Sequence, residues 1–215
     1  MISNYEREYL NKKIEELKAA GFFKSLWNKD LKSWCVLHSF DVDGIDINLN
    51  GITKIVVVID NSKYVIKFSS NPFGKTDFCH IEANNYKRAV GRGLEDYFAE
   101  TFFFKRVDGI DLYLQEKVDC DSYSIEDNFF EYAEKIVEWD KEKAGDEYND
   151  AIWELVEDFG VDAALNAIYG EGYDTNRLIR FCGENKINDL HQGNLGYKNG
   201  FPVIIDFSGI FGEKE

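Results

Sequence analysis

Midway along the chain the spacing of apolar residues changes from that of strands to that of helices, and this change limits the folds open to it. Between Trp34 and Val118 the apolar residues alternate or run in short stretches: Trp34–Phe40, Thr53–Asp60, Lys63–Ser69, Thr101–Val107 and Ile110–Val118. Asn61-Ser62 and Asp108-Gly109 are turn dipeptides of the kind that close antiparallel hairpins. One helical stretch, His80–Val90, interrupts the series and is stopped by Gly91 and Gly93. After Cys120 the period lengthens. Phe129, Ala133, Ile136 and Val137 share a helical face, as do Tyr148, Ile152, Leu155 and Phe159. A further helix is expected over Thr175–Cys182, then a small hairpin of Leu195–Tyr197 and Val203–Phe207 about Asn199-Gly200. The pattern predicts an α+β fold, a five-stranded antiparallel sheet with one inserted helix followed by a mostly helical half.

A helix also precedes the sheet. Ser3 and Glu6 fit a capping box, Leu10, Ile14 and Leu17 fall on one face, and Gly21 ends it. With 215 residues the chain suits one domain or two small lobes sharing a cleft. The divisions expected are a helical segment over 1–33, a sheet-bearing lobe over 34–118 and a helical lobe over 119–215. Charge narrows the partners. Lys and Arg number 25 against 40 Asp and Glu, a net of −15. Such a surface repels phosphate backbones and anionic lipid, which argues against nucleic-acid or membrane binding. It serves solubility first and favours basic partners second. No apolar run approaches a membrane span, and MISNYEREYLNKK lacks a signal-peptide core, so a cytoplasmic location is expected. Cys35, Cys79, Cys120 and Cys182 form no CxxC pair and read as buried thiols in a reducing compartment.

Three motif-like strings lack their context. Gly74-Lys75-Thr76 has serine at position 69 where a P-loop needs glycine, and reads as a turn. Asp158-Phe159-Gly160 spells a kinase metal motif, but Phe159 falls on the apolar face of a helix. The acidic stretch DVDGIDINLNG, with Asp41, Asp43 and Asp46, fails the calcium-loop spacing and is expected to be a solvated turn.

The informative stretch is INDLHQGNLGYKNGFPVIIDFSG, residues 187–209. It sets a carboxylate at Asp189, an amide at Asn194 and a second carboxylate at Asp206, which ends an apolar strand. Phosphoryl transfer needs a carboxylate to take the attacking hydroxyl's proton, and an amide with a carboxylate to hold Mg²⁺ against phosphates. The hairpin between them should return Asp206 to the side of Asn194. Upstream, Lys67 stands in the apolar run Tyr64-Val65-Ile66-Lys67-Phe68, where a buried ammonium needs a partner. Glu82 is the one acidic residue of His80–Val90.

In this order the residues resemble the protein-kinase-like superfamily, and the similarity runs along most of the chain. Tyr64-Val65-Ile66-Lys67 is similar to the V-A-I-K strand, DLHQGN to the catalytic loop and Asp206-Phe207-Ser208-Gly209 to DFG. The resemblance implies ATP and Mg²⁺ as cofactors, Lys67 on the phosphates, Glu82 pairing Lys67 and Asp189 as base. It further implies Asn194 and Asp206 as metal ligands, a hinge at Gln115–Asp119, and adenine contacts from backbone near Glu116 and Val118. His191 would orient Asp189, touch the γ-phosphate or bond a loop carbonyl. His38 and His80 have no partner legible in the sequence.

The chain departs from the family at four places. No Gly-rich loop is recognisable between Gly44 and Gly51; Asn188 replaces the arginine before the catalytic aspartate; His191 stands where Ser/Thr kinases have lysine; and six residues follow Gly209. What is implied is a minimal, atypical kinase of bacterial or phage type, with no activation segment, acting in a cytoplasm, its own or a host's. The string DLHQGN is also similar to that of aminoglycoside- and choline-kinase-like enzymes. Val118 and Asn194, however, are only 76 positions apart, little chain to wall a small-molecule pocket. A protein acceptor with a basic surface is therefore expected first, a small-molecule acceptor second, and a non-catalytic acidic binding module third.

Overall fold

The structure, a computed structural model, describes residues 2–26, 42–48, 53–70, 74, 76–120, 129, 131–135 and 151–209. The expected strand Trp34–Phe40 lies outside them, as do Cys35, His38, Asp41, Gly51, Lys75, Ile136, Val137 and Tyr148. The chain forms two compact units, Met1–Asn84 with Glu100–Lys117, and Asn85–Ala99 with Val118–Glu215. No helix among the described residues is long and apolar enough to cross a membrane.

The first unit is a five-stranded antiparallel sheet with helices. Its strands are β1 (Ile45–Asn48), β2 (Lys54–Ile59), β3 (Tyr64–Ser69), β4 (Thr101–Val107) and β5 (Ile110–Glu116), in the order β1-β2-β3-β5-β4. Five strands are formed by the described residues, and one of them, β1, is not among those expected. β1 lies inside the acidic stretch expected to be a solvated turn. The reason is alternation: Ile47 is buried while Asp46 and Asn48 face water, so an edge strand accommodates the carboxylate at no desolvation cost. Tight turns at Asn61 and at Asp108-Gly109 adopt positive φ as their sequences require.

Helices α1 (Asn4–Ala19) and α2 (Phe22–Ser25) cover one face of this sheet. Leu10, Ile14, Leu17, Phe22 and Phe23 pack against Ile55, Val57, Ile66, Phe68, Leu112 and Leu114. Each such fully buried side chain is worth about 1.5–3 kcal/mol in transfer free energy. The N-terminal helix is thus part of the unit's core. Ser3 caps it as expected, its Oγ accepting from the Glu6 N–H. The reciprocal half of the capping box is absent, because the Glu6 carboxylate instead accepts from Ser62 Oγ at 2.6 Å and Lys63 N at 2.9 Å, tying α1 to the β2–β3 turn.

The second unit holds the later turns of α3 (Phe78–Val90), then α4 (Ala151–Phe159), α5 (Val161–Tyr169), α6 (Tyr173–Glu184) and a hairpin of β6 (Leu195–Lys198) and β7 (Phe201–Ile204). Leu155, Leu165, Leu178, Phe181, Leu190, Ile204 and Phe207 form its core. Asn199-Gly200 turns the hairpin with both residues at positive φ. Two expectations fail here. Phe159, placed on an apolar face, is 48% exposed because it is the last residue of α4 before the Gly160 break. Cys120, expected buried, is exposed, whereas Cys79 and Cys182 are buried.

Candidate active site

Among the described residues, each unit carries a cluster of the polar side chains that the sequence singles out. In the first unit the sheet face opposite α1 bears Lys54, Lys67, Tyr113, Gln115 and Thr101, a consequence of register. Lys54 pairs with Ser69, Val56 with Lys67 and Lys67 with Tyr113, so these side chains project to one side. Asp77 starts α3 above them, its Oδ1 accepting from Cys79 N and His80 N. That cap begins the helix at Phe78, two residues before the expected start.

Glu82 is fully buried and takes both lysines. Its Oε1 accepts from Lys54 Nζ at 2.6 Å and its Oε2 from Lys67 Nζ at 3.3 Å. Lys67 and Glu82 are therefore brought together as expected; Lys54 was not foreseen. Its signal is parity, since the Asn61-Ser62 turn sets residues 54 and 67 on one face. A lysine heading the run KIVVVI nonetheless reads as a solvated strand end. The Cys79 thiol beside this cluster is pushed well above its usual pKa, chiefly by burial and then by Glu82, with Lys67 and Lys54 opposing. His80 does have a partner: its Nδ1 lies 3.2 Å from Tyr113 Oη, which donates to Asp77 Oδ2 at 3.2 Å. Gln115 Nε2 donates to Thr101 Oγ1 at 3.0 Å, satisfying a buried amide on the same face.

In the second unit the loop Ile187–Asn194 is anchored by buried Ile187 and Leu190, which leaves Asp189 between them partly open to solvent. Asn194, 6% exposed, closes the loop: its Nδ2 donates to Asp189 O at 2.7 Å and its N–H to His191 O at 2.9 Å. With the nitrogen so used, Oδ1 is the atom of that side chain suited to a cation. The His191 ring bonds a loop N–H rather than the loop carbonyl expected, and it lies near Asp189. Its Nδ1 accepts from Gly193 N at 3.1 Å, which sets the neutral ring's proton on Nε2, 3.9 Å from Asp189 Oδ1.

The hairpin returns the chain as expected. Leu195 pairs with Ile204, and Ile205 N donates to Asn194 O at 2.8 Å, so Asp206 follows directly on the residue bonded to Asn194. Ser208 Oγ donates to Asp206 Oδ1 at 3.2 Å. Phe207 is fully buried against Phe98, and Asn85 Nδ2 donates to its carbonyl at 2.9 Å. Asn85 was not foreseen either, although it lies one helical turn beyond Glu82. Gly209 has φ +79° and a Cβ there would lie 2.1 Å from Lys186 O, so no other residue fits. Of the expected adenine contacts, Glu116 spends its N–H on Glu100 O at 2.8 Å, and Val118 stands just before the Asp119–Tyr197 bridge. Among the described residues no group of three or more His, Cys, Asp or Glu could hold a metal ion. Asn194 and Asp206 both carry side-chain oxygens, which are hard donors. A scan against protein-family models finds no match, and neither does a search of curated proteins.

Proposed function

We propose that this chain is a Mg²⁺/ATP-dependent phosphotransferase with a reduced, two-lobed protein-kinase-like fold, acting on a hydroxyl of a protein partner. The observation that carries the reading is the buried pairing of Lys67 on β3 with Glu82 on α3, at 3.3 Å. A sheet in which that helix follows the lysine strand and precedes β4 and β5 supports it. So does the position of Asp206 next to the residue bonded to Asn194.

In this reading Lys67 holds the nucleotide phosphates, Glu82 orients it, and backbone near Glu116 and Val118 receives the adenine. Asp189 accepts the proton of the attacking hydroxyl. The hydroxyl oxygen bonds to the γ-phosphorus as the bond to the β–γ bridging oxygen breaks, and ADP departs with that electron pair. His191 Nε2–H steadies the Asp189 carboxylate. Asn194 Oδ1 and the Asp206 carboxylate suit Mg²⁺, which shares its shell with phosphate and water rather than demanding a protein cage. When bound, the ion neutralises phosphate charge. The net charge of −15 favours a basic protein acceptor. A small-molecule acceptor is the second reading, favoured by the DLHQGN string.

Thermal melting and phosphate transfer test this. Mg·ATP at 100 times its Kd adds about 2.7 kcal/mol, a rise in Tm of roughly 5–10 °C for a chain of this size. Asp206→Ala should abolish that rise. Asp189→Asn should keep it and lose transfer by about 10²–10⁴-fold. No rise in the wild type, or undiminished transfer by Asp189→Asn, would refute the reading.

A further inference from the structure

Lys54, a member of the first cluster, has no role in the mechanism above. It sits at the head of β2, 5% exposed, diagonal to Lys67 across the β2–β3 pair and on the same face. Glu82 grips it more closely than it grips Lys67, at 2.6 against 3.3 Å. Two ammonium groups are thus gathered on a single buried carboxylate. We propose that Lys54 is a second phosphate-binding cation of the nucleotide site, acting with Lys67 on the polyphosphate; the inference rests on the nucleotide reading above.

The chemistry fits in three ways. An ammonium has three donors, so Lys54 can keep Glu82 with one N–H and offer another to a phosphate oxygen. Two like charges held close raise each other's energy, and a polyanion bound to both relieves that repulsion. A lysine on the same sheet face as Lys67 binds phosphate as a point charge and needs no backbone cradle to do so.

The test separates phosphate contact from structural support. Binding of ATP, ADP, AMP and adenosine, with Mg²⁺ present, is measured for the wild type, Lys54→Met, Lys67→Met and the double variant. Loss of one charge-assisted hydrogen bond should weaken ATP binding by about tenfold or more in Lys54→Met, while adenosine binding stays as in the wild type. The penalty should shrink from ATP to AMP, the double variant should prefer ATP no more than adenosine, and Lys54→Arg should restore most of the loss. Equal weakening of all four ligands, or an unchanged ATP-to-adenosine ratio in Lys54→Met, overturns the role of Lys54 and leaves the nucleotide reading standing. A wild type that binds none of the four overturns both. Should Lys54→Met fail to fold, protection serves in the wild type: Mg·ATP, and not adenosine, should slow acylation of Lys54 by an amine reagent, and unslowed acylation overturns the proposal.

Discussion

Glu82 is the residue on which the first cluster depends. Its carboxylate is fully buried, and two ammonium groups that meet it at 2.6 and 3.3 Å offset desolvation of this kind. Glu82→Ala would leave two buried cations without that carboxylate, a change that costs about 3–5 kcal/mol in comparable buried pairs. For a chain of this length the midpoint of thermal melting should fall by roughly 6–20 °C, and Glu82→Gln, which keeps an acceptor, should fall less. A Glu82→Ala protein melting within a degree or two of the wild type would show that the cluster carries no stability. Lys67 was legible in the sequence because a charged side chain within an apolar run demands a partner, and Glu82 because it is the one acidic residue of His80–Val90, where the resemblance implies the partner of that lysine. Lys54 was not, because a lysine at the head of a strand is ordinarily solvated, and only the pairing register shows that its side chain turns onto the buried face.

At the scale of elements, α3 is unusual in what its buried stripe contains. Cys79, Glu82, Asn85 and Ala89 are all buried, so two polar residues occupy positions that an amphipathic helix gives to apolar ones. The second of them fixes the segment that follows β7, through the bond from Asn85 Nδ2 to Phe207 O. Asn85→Ala should remove that buried hydrogen bond and cost about 0.5–1.5 kcal/mol, read by chemical denaturation. If the turn after Asp206 needs this bond to hold its shape, the same variant should weaken nucleotide binding in Mg²⁺ more than in EDTA. Equal weakening in both would confine Asn85 to a packing role. Hairpins were legible from Asp108-Gly109 and Asn199-Gly200, whose chemistry leaves few other conformations. The strand Ile45–Asn48 was not, because Asp46 and Asn48, with Asp41 and Asp43 before them, outweighed its two isoleucines in a reading by charge, although the alternation is that of an edge strand. The cap at Asp77 was missed for a related reason: its carboxylate bonds the helix locally, and the apolar period begins only afterwards.

For the whole molecule the dominant quantity is charge. A net of −15 on 215 residues sets up a field that reaches beyond any one side chain and acts on whatever approaches. Such a field raises the encounter rate of a cationic partner and lowers that of a bare polyphosphate, so nucleotide should arrive as its metal complex and a protein acceptor should carry a basic surface. The two acceptor classes then respond differently to salt. At physiological ionic strength the Debye length is about 8 Å, and at a tenth of that it is roughly 25–30 Å, so steering of a large basic acceptor is strong in dilute salt and largely screened in concentrated salt. A neutral small-molecule hydroxyl feels little of this. Initial rates of transfer, taken at fixed saturating Mg·ATP while KCl is raised from low to physiological concentration, should fall about tenfold or more for a basic protein acceptor, which is the lower end of electrostatic rate enhancement. Lys67 and Asp189 should matter equally at both ends of the series, since screening alters arrival and not the chemical step. A rate independent of salt, with label recovered only on a neutral small molecule, would assign the acceptor to the second class and leave the field of this surface to solubility alone.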